Sequence, residues 1–120
     1  MTRINVGVHP RELSRQHLLA EHREITRIPN AIKSGRFSDK GIPEKFTLGK
    51  GHVKFFYFRL RYLHKRYLNL LAECLRRGYN VTNKSDAFAD LPENHYGDYS
   101  PTETDRKILI ERINQRGGLL

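Results

Sequence analysis

Between residues 53 and 74, apolar and aromatic side chains recur every three or four positions: Val53, Phe56, Tyr57, Leu60, Leu63, His64, Tyr67, Leu70, Leu71 and Cys74. That period fits one arc of an α-helix and no strand, because strand side chains alternate at every second residue. The spacing predicts a helix over 52–77 with one buried face. Gly78 follows it, in the position a left-handed helix cap favours. A helix this long needs other apolar faces to cover it, and the rest of the chain must supply them.

Two further helices can be read. One runs from Pro10 or Arg11 to Lys33, with Leu18, Ile25, Ile28 and Ile32 at helical spacing on a buried side. Pro29 must kink it or end it early. The other starts at Ser100, where Ser100-Pro101-Thr102-Glu103 supplies an N-cap serine, a proline at the first helical position and a capping-box glutamate. It runs to about Gln115 before Gly117-Gly118. Residues 34–51, punctuated by Gly35, Gly41, Pro43, Gly49 and Gly51, read as a loop. The acidic stretch 86–98 reads as another. Nothing alternates as a strand, so the expected class is all-α: a compact single domain over 1–120 with about three main helices and long connecting loops.

The chain carries 22 Lys and Arg against 13 Asp and Glu. Residues 1–30 are net +2, residues 31–77 net +9 and residues 78–120 net −2. A basic stripe on a small domain points first to a polyanion, and nucleic acid is the commonest one. On the 52–77 helix, Lys54, Arg61, Lys65 and Arg76 lie on one flank of the apolar stripe. Arg59, Arg66 and Arg77 lie on the other. Either flank would suit a phosphate backbone.

Several classes are excluded at this stage. No apolar run approaches the roughly 20 residues that span a bilayer. Residues 1–8 hold no apolar core of a secretory signal. One cysteine, Cys74, cannot close an internal disulfide, and the expected compartment is the cytoplasm. Six histidines are scattered without zinc-like spacing, so no metal is expected. Neither a phosphate-binding P-loop nor a Gly-x-Ser-x-Gly elbow is present.

What stands out is a polar arc on the first helix. Leu13, Gln16, His17, Ala20, Arg23, Glu24 and Arg27 occupy the spacing that normally marks a buried face. Two arrangements satisfy it. One is a solvated ion-pair ladder worth roughly a few tenths of a kcal/mol per pair. The other is a carboxylate held in a basic groove where a phosphodiester would lie. The chain also begins Met-Thr, a start that lets the initiator methionine be removed to free the amine of Thr2. An α-amino group titrates near 7.7–8.0, so about a tenth of it is neutral at pH 7, and a neutral amine can form an imine.

Five blocks carry a resemblance: Met-Thr-Arg-Ile-Asn at 1–5, Gln-His-Leu-Leu-Ala-Glu-His-Arg-Glu at 16–24, Gly-Lys-Gly-His-Val-Lys-Phe-Phe-Tyr at 49–57, Ala-Glu-Cys-Leu-Arg-Arg-Gly-Tyr-Asn at 72–80 and Gly-Asp-Tyr-Ser-Pro at 97–101. In this order they closely resemble the pyrimidine-dimer DNA glycosylase and abasic-site lyase family, of the phage endonuclease V type. The resemblance implies a compact helical fold and removal of ultraviolet-induced cyclobutane pyrimidine dimers, followed by strand cleavage through β-elimination. It implies Thr2 as the nucleophile and Glu24 as the essential carboxylate. It further implies Arg3, Arg23, Arg27 and Arg112 on DNA phosphates, with Gln16 and His17 beside the pocket. No metal or organic cofactor is implied. The expected partner is double-stranded DNA containing dimers or abasic sites, engaged by a monomer associated with the nucleoid rather than a membrane.

Three departures accompany the resemblance. Thr26 stands where the phage member has a proline, with Pro29 appearing instead. The third helix is about a turn shorter. The chain ends Gln-Arg-Gly-Gly-Leu-Leu, with no aromatic after Tyr99. Two other readings follow: an abasic-site lyase with weak dimer preference, and an inactive DNA-binding module of the same fold.

Overall fold

A computed structural model describes residues 2–117 of the chain. Met1, Gly118, Leu119 and Leu120 lie outside the described residues, and with them the initiator methionine and the Gly-Leu-Leu ending. The fold is all-α. Four helices appear in the order α1 (Arg15–Glu24), α2 (Arg27–Lys33), α3 (Leu60–Arg76) and α4 (Glu103–Asn114), with short 3-10 turns between them. An isolated antiparallel bridge pairs Arg59 with Tyr96. No helix among them is long and apolar enough to cross a membrane.

The α3 stripe is buried as its period requires. Leu60, Leu63, Tyr67, Leu70 and Cys74 are fully enclosed, and Leu71 nearly so. Against it pack Leu18 and Ile25, with Ile28 and Ile32 of α2 and Leu109 and Ile113 of α4 completing the core. Val53 and His64, at the edges of the arc, are half-buried. Gly78, at φ 79°, closes α3: its N–H bonds the Leu75 carbonyl, and the Tyr79 N–H reaches back to Cys74. That paired return satisfies carbonyls the helix end would leave open.

Helix boundaries differ from the sequence expectation at three places. The first predicted helix divides into a 3-10 turn at Pro10–Glu12, α1 and α2. Ser14 caps α1, and the chain bends at Ile25 and Thr26 rather than at Pro29. Pro29 instead sits in the first turn of α2, where its missing N–H costs least. The predicted 52–77 helix starts only at Leu60, preceded by a 3-10 turn at Lys54–Phe56. The cause lies in a loop far along the chain. The Gly97 N–H bonds the Phe58 carbonyl, and the Gly97 carbonyl accepts from Arg61 and Tyr62, so the loop replaces the helical bonds that would cross residues 57–61. A Cβ on Gly97 would fall inside the Phe58 carbonyl oxygen. Gly97→Ala is expected to destabilise the fold by about 1–3 kcal/mol through this clash with backbone, read as a lower urea midpoint.

The last helix begins at Glu103, with Thr102 rather than Ser100 as its cap. Thr102 Oγ1 accepts from the Asp105 N–H at 3.1 Å, and Asp105 Oδ2 accepts from the Thr102 N–H at 3.0 Å. The Tyr99 hydroxyl also donates to Asp105, which fixes the capping box two residues later than Ser100 would place it. The acidic stretch 86–98 is likewise not wholly irregular. It holds parts of two 3-10 turns, Ser85–Phe88 and Glu93–His95, which bury Phe88 and His95.

Residues 2–9 pass through a turn at Val6–Gly7, and their Ile4, Val6 and Val8 are fully buried. A buried backbone must find hydrogen bonds. Two are local, from the Val6 N–H to the Ile4 carbonyl and from the Val8 N–H to the Asn5 carbonyl. Side chains provide others. The Ile4 N–H donates to His52, Arg66 donates to the Val8 carbonyl and Arg106 to the Gly7 carbonyl. The start of the chain is thereby threaded into the core beside α1.

Candidate active site

The polar arc of α1, the N-terminal segment and the end of α4 enclose a cleft of about 390 Å³. The segment contributes Arg3 and Asn5. From α1 come His17, Ala20, Glu21 and Glu24, and from the end of α4 come Arg112, Ile113 and Arg116. Ala20 leaves room in the middle of the α1 wall, where a larger side chain would fill the space.

Charge in the cleft is predominantly positive. Burial lowers the pKa of Arg3, and the neighbouring Arg112 and Arg116 lower it further, against the pull of Glu24. His17 is held below its ordinary value by burial and then by Arg116 and Arg3. Cations brought this close repel one another, and an anion entering the cleft relieves that repulsion. A phosphodiester has the required charge.

Within this cationic wall, Glu24 has a side chain only 15% exposed. Its Oε1 accepts the Arg3 backbone N–H at 3.3 Å, and its Oε2 accepts from Arg23 at 3.5 Å. The carboxylate is therefore tied directly to the segment that carries Thr2. Glu21 sits three positions earlier, one turn along the same wall, and serves a different purpose. It is buried, accepting from Asn5 Nδ2 at 2.7 Å and from Arg66 through two nitrogens at 2.7 and 2.9 Å. That network forms the floor beneath the cleft.

Of the residues singled out from the sequence, the cleft gathers Arg3, His17, Glu24 and Arg112. Thr2 is half-buried next to Arg3. Gln16, Arg23 and Arg27 are exposed and lie outside the cleft lining. Arg116 was not anticipated; it stands in the turn just past α4, where its N–H bonds the Ile113 carbonyl. Asn5 and Glu21 gave no signal of their own, since a polar residue among apolar neighbours reads as surface until its partner is known.

A family model for pyrimidine dimer DNA glycosylase matches residues 1–87. The chain belongs to that family. The matched span contains the N-terminal segment, α1, α2 and α3, and hence Thr2, Arg3 and Glu24. It stops before α4, so Arg112 and Arg116 line the cleft through the fold alone.

The basic residues on one flank of α3 are engaged within the fold. Arg66 is buried against Glu21. Arg77 binds Glu73 and caps the carbonyls of Pro10, Arg11 and Leu13. Arg59 lies over the Phe55 ring at 4.1 Å and donates to the Phe55 carbonyl. All three hold the fold together, which corrects the expectation that this flank could track phosphates. On the opposite flank Arg61, Lys65 and Arg76 remain exposed. Lys65 pairs with Asp98 and Arg76 with Glu73.

Proposed function

We propose that this protein excises cyclobutane pyrimidine dimers from duplex DNA and then cleaves the strand at the resulting abasic site, using the α-amine of Thr2 after removal of Met1. The observation that carries this reading is the bond from the Arg3 N–H to Glu24, which ties a carboxylate to the nucleophile-bearing segment inside a cationic cleft.

The chemistry follows from the groups in place. The neutral amine attacks the anomeric carbon of the dimer's 5′ sugar, and the glycosidic bond breaks with its electron pair on the departing base, which takes up a proton. Glu24 stabilises the positive charge that develops on the sugar. Opening of the sugar ring, with proton transfer to the ring oxygen, gives an imine. Glu24 then moves the proton lost from the adjacent sugar carbon as the 3′ phosphate leaves by β-elimination. Water hydrolyses the imine and returns the amine. Arg3, Arg112 and Arg116 hold the flanking phosphates, with Arg23 and Arg27 as further phosphate contacts. His17 and Gln16 stand beside the pocket.

Borohydride reduction during reaction tests the proposal. A dimer-containing duplex is expected to yield a covalent protein–DNA adduct, and an undamaged duplex none. A second reading is a lyase with weak dimer preference. Efficient trapping on an abasic duplex with little on the dimer would establish that reading. Absence of an adduct on both would leave a binding module.

A further inference from the structure

Two successive amides of the N-terminal segment are held by side chains from different parts of the fold. The Arg3 N–H goes to Glu24, and the Ile4 N–H goes to His52 Nε2 at 2.9 Å, a contact between residues 48 positions apart. The other ring nitrogen, Nδ1, lies 2.9 Å from the Thr47 carbonyl oxygen. An amide N–H only donates and a carbonyl only accepts. The two contacts together admit one state of the ring: neutral, with its proton on Nδ1 and its lone pair on Nε2. A protonated ring would set a second N–H against that of Ile4.

The surroundings favour the neutral ring. His52 is 4% exposed, with Phe46 and Phe56 packed against it edge to face. The charged groups facing it are Arg3 from the N-terminal segment and Glu21 from α1. Burial is the largest influence and lowers the pKa from the ordinary 6.5; Arg3 acts in the same direction, while the Thr47 carbonyl and Glu21 oppose it.

We infer that His52 is a positioning residue whose neutral Nδ1–H tautomer clamps Ile4 and so fixes Thr2 beside Glu24, and that protonating the ring releases this segment from the site. The inference rests on the Thr2 amine being the nucleophile. It adds a titrating device to the loop between α2 and α3, remote in sequence from the reacting groups.

The test combines a spectrum with two variants. Nitrogen-15 NMR of the labelled histidines in the wild-type protein is expected to show His52 Nε2 unprotonated and Nδ1 protonated at neutral pH. His52→Asn keeps a donor toward Thr47 but has nothing that reaches Ile4. It is expected to slow borohydride trapping on an abasic duplex by on the order of 10²-fold, the scale of a misplaced reacting group, while retaining DNA binding. His52→Gln carries an amide oxygen near the Nε2 position and cannot titrate, so it is expected to restore most of the rate. Its rate should fall about one decade per pH unit as the amine protonates, whereas the wild-type rate steepens to about two below the pKa of the ring.

An Nε2-protonated ring, or wild-type trapping in His52→Asn, would overturn the inference. Should His52→Asn fail to fold, the wild-type spectrum and the His52→Gln profile decide the matter. If the wild-type protein forms no adduct at all, the Thr2 mechanism fails, and the spectrum still reports separately on the clamp.

Discussion

Replacing Glu24 with glutamine is expected to slow base release by on the order of 10²–10⁴-fold, the range lost when a positioned acid–base group is removed. The substitution keeps an oxygen able to accept the Arg3 N–H, and it changes little in size. What it removes is the negative charge. In a cleft lined by Arg3, Arg112 and Arg116, that charge is the group suited to stabilise a cationic sugar and to carry a proton. DNA affinity should move in the other direction, because taking a carboxylate from a cationic cleft strengthens attraction for phosphate. Single-turnover cleavage of a dimer-containing duplex, measured beside equilibrium binding at fixed salt, separates the two effects. Base release within tenfold of wild type would remove Glu24 from the chemistry.

The second large effect concerns the floor of the cleft. Arg66→Met is expected to destabilise the protein by about 3–5 kcal/mol, because it strands Glu21 as an uncompensated buried carboxylate. Glu21 is 1% exposed and Arg66 7%. Removing the guanidinium also takes the donor from the Val8 carbonyl. Set against a total stability of about 5–15 kcal/mol for an ordinary domain, one substitution brings the protein close to unfolding. Replacing both partners, as Glu21→Leu with Arg66→Met, is expected to recover much of the loss, since neither buried charge remains. Asn5 would still lose its partner. Urea unfolding of the two single variants and the double variant provides the measurement. An Arg66→Met protein within about 1 kcal/mol of wild type would mean that the pair is not a buried charge pair.

Local periodicity carried the core. The stripe from Leu60 to Cys74, the Gly78 cap and the line of Leu18, Ile25, Ile28 and Ile32 each depend on neighbours within a few residues, and each is buried or placed as the spacing requires, whereas residues 53–59 of the expected helix form turns instead. Boundaries set by distant residues were not legible in this way. Nothing near Phe58 announces that Gly97 will take its carbonyl, and nothing near Ser100 reveals that Tyr99 and Asp105 together favour the later cap. The segment 2–9 escaped for a related reason. Its long-range hydrogen-bond partners are side chains at 24, 52, 66 and 106 rather than an adjacent strand.

The cleft was partly legible. The α1 arc contains Glu24 and His17, and the resemblance pointed to Arg3 and Arg112, all four of which line it. Which cations serve the cleft and which serve the core could not be read from charge. Arg66 belongs to the same basic helix as Arg61 and Lys65, yet its partner Glu21 lies 45 residues away on α1. Arg116 is the converse case, an exposed arginine just past α4 that the fold brings to the rim of the cleft beside the N-terminal segment. The basic excess of residues 31–77 thus divides between holding the fold and presenting charge, while the cleft itself draws its cations from the two ends of the chain.

The most direct measurement locates the nitrogen that bears the DNA. Protein lacking Met1 is reacted with a dimer-containing duplex, reduced with borohydride, digested and sequenced by tandem mass spectrometry. The reduced sugar is expected on the α-amine of Thr2, and acetylation of that amine beforehand should abolish the adduct. A sugar found on a lysine side chain, or an adduct that survives acetylation of the terminus, would contradict the assignment of Thr2 as the nucleophile.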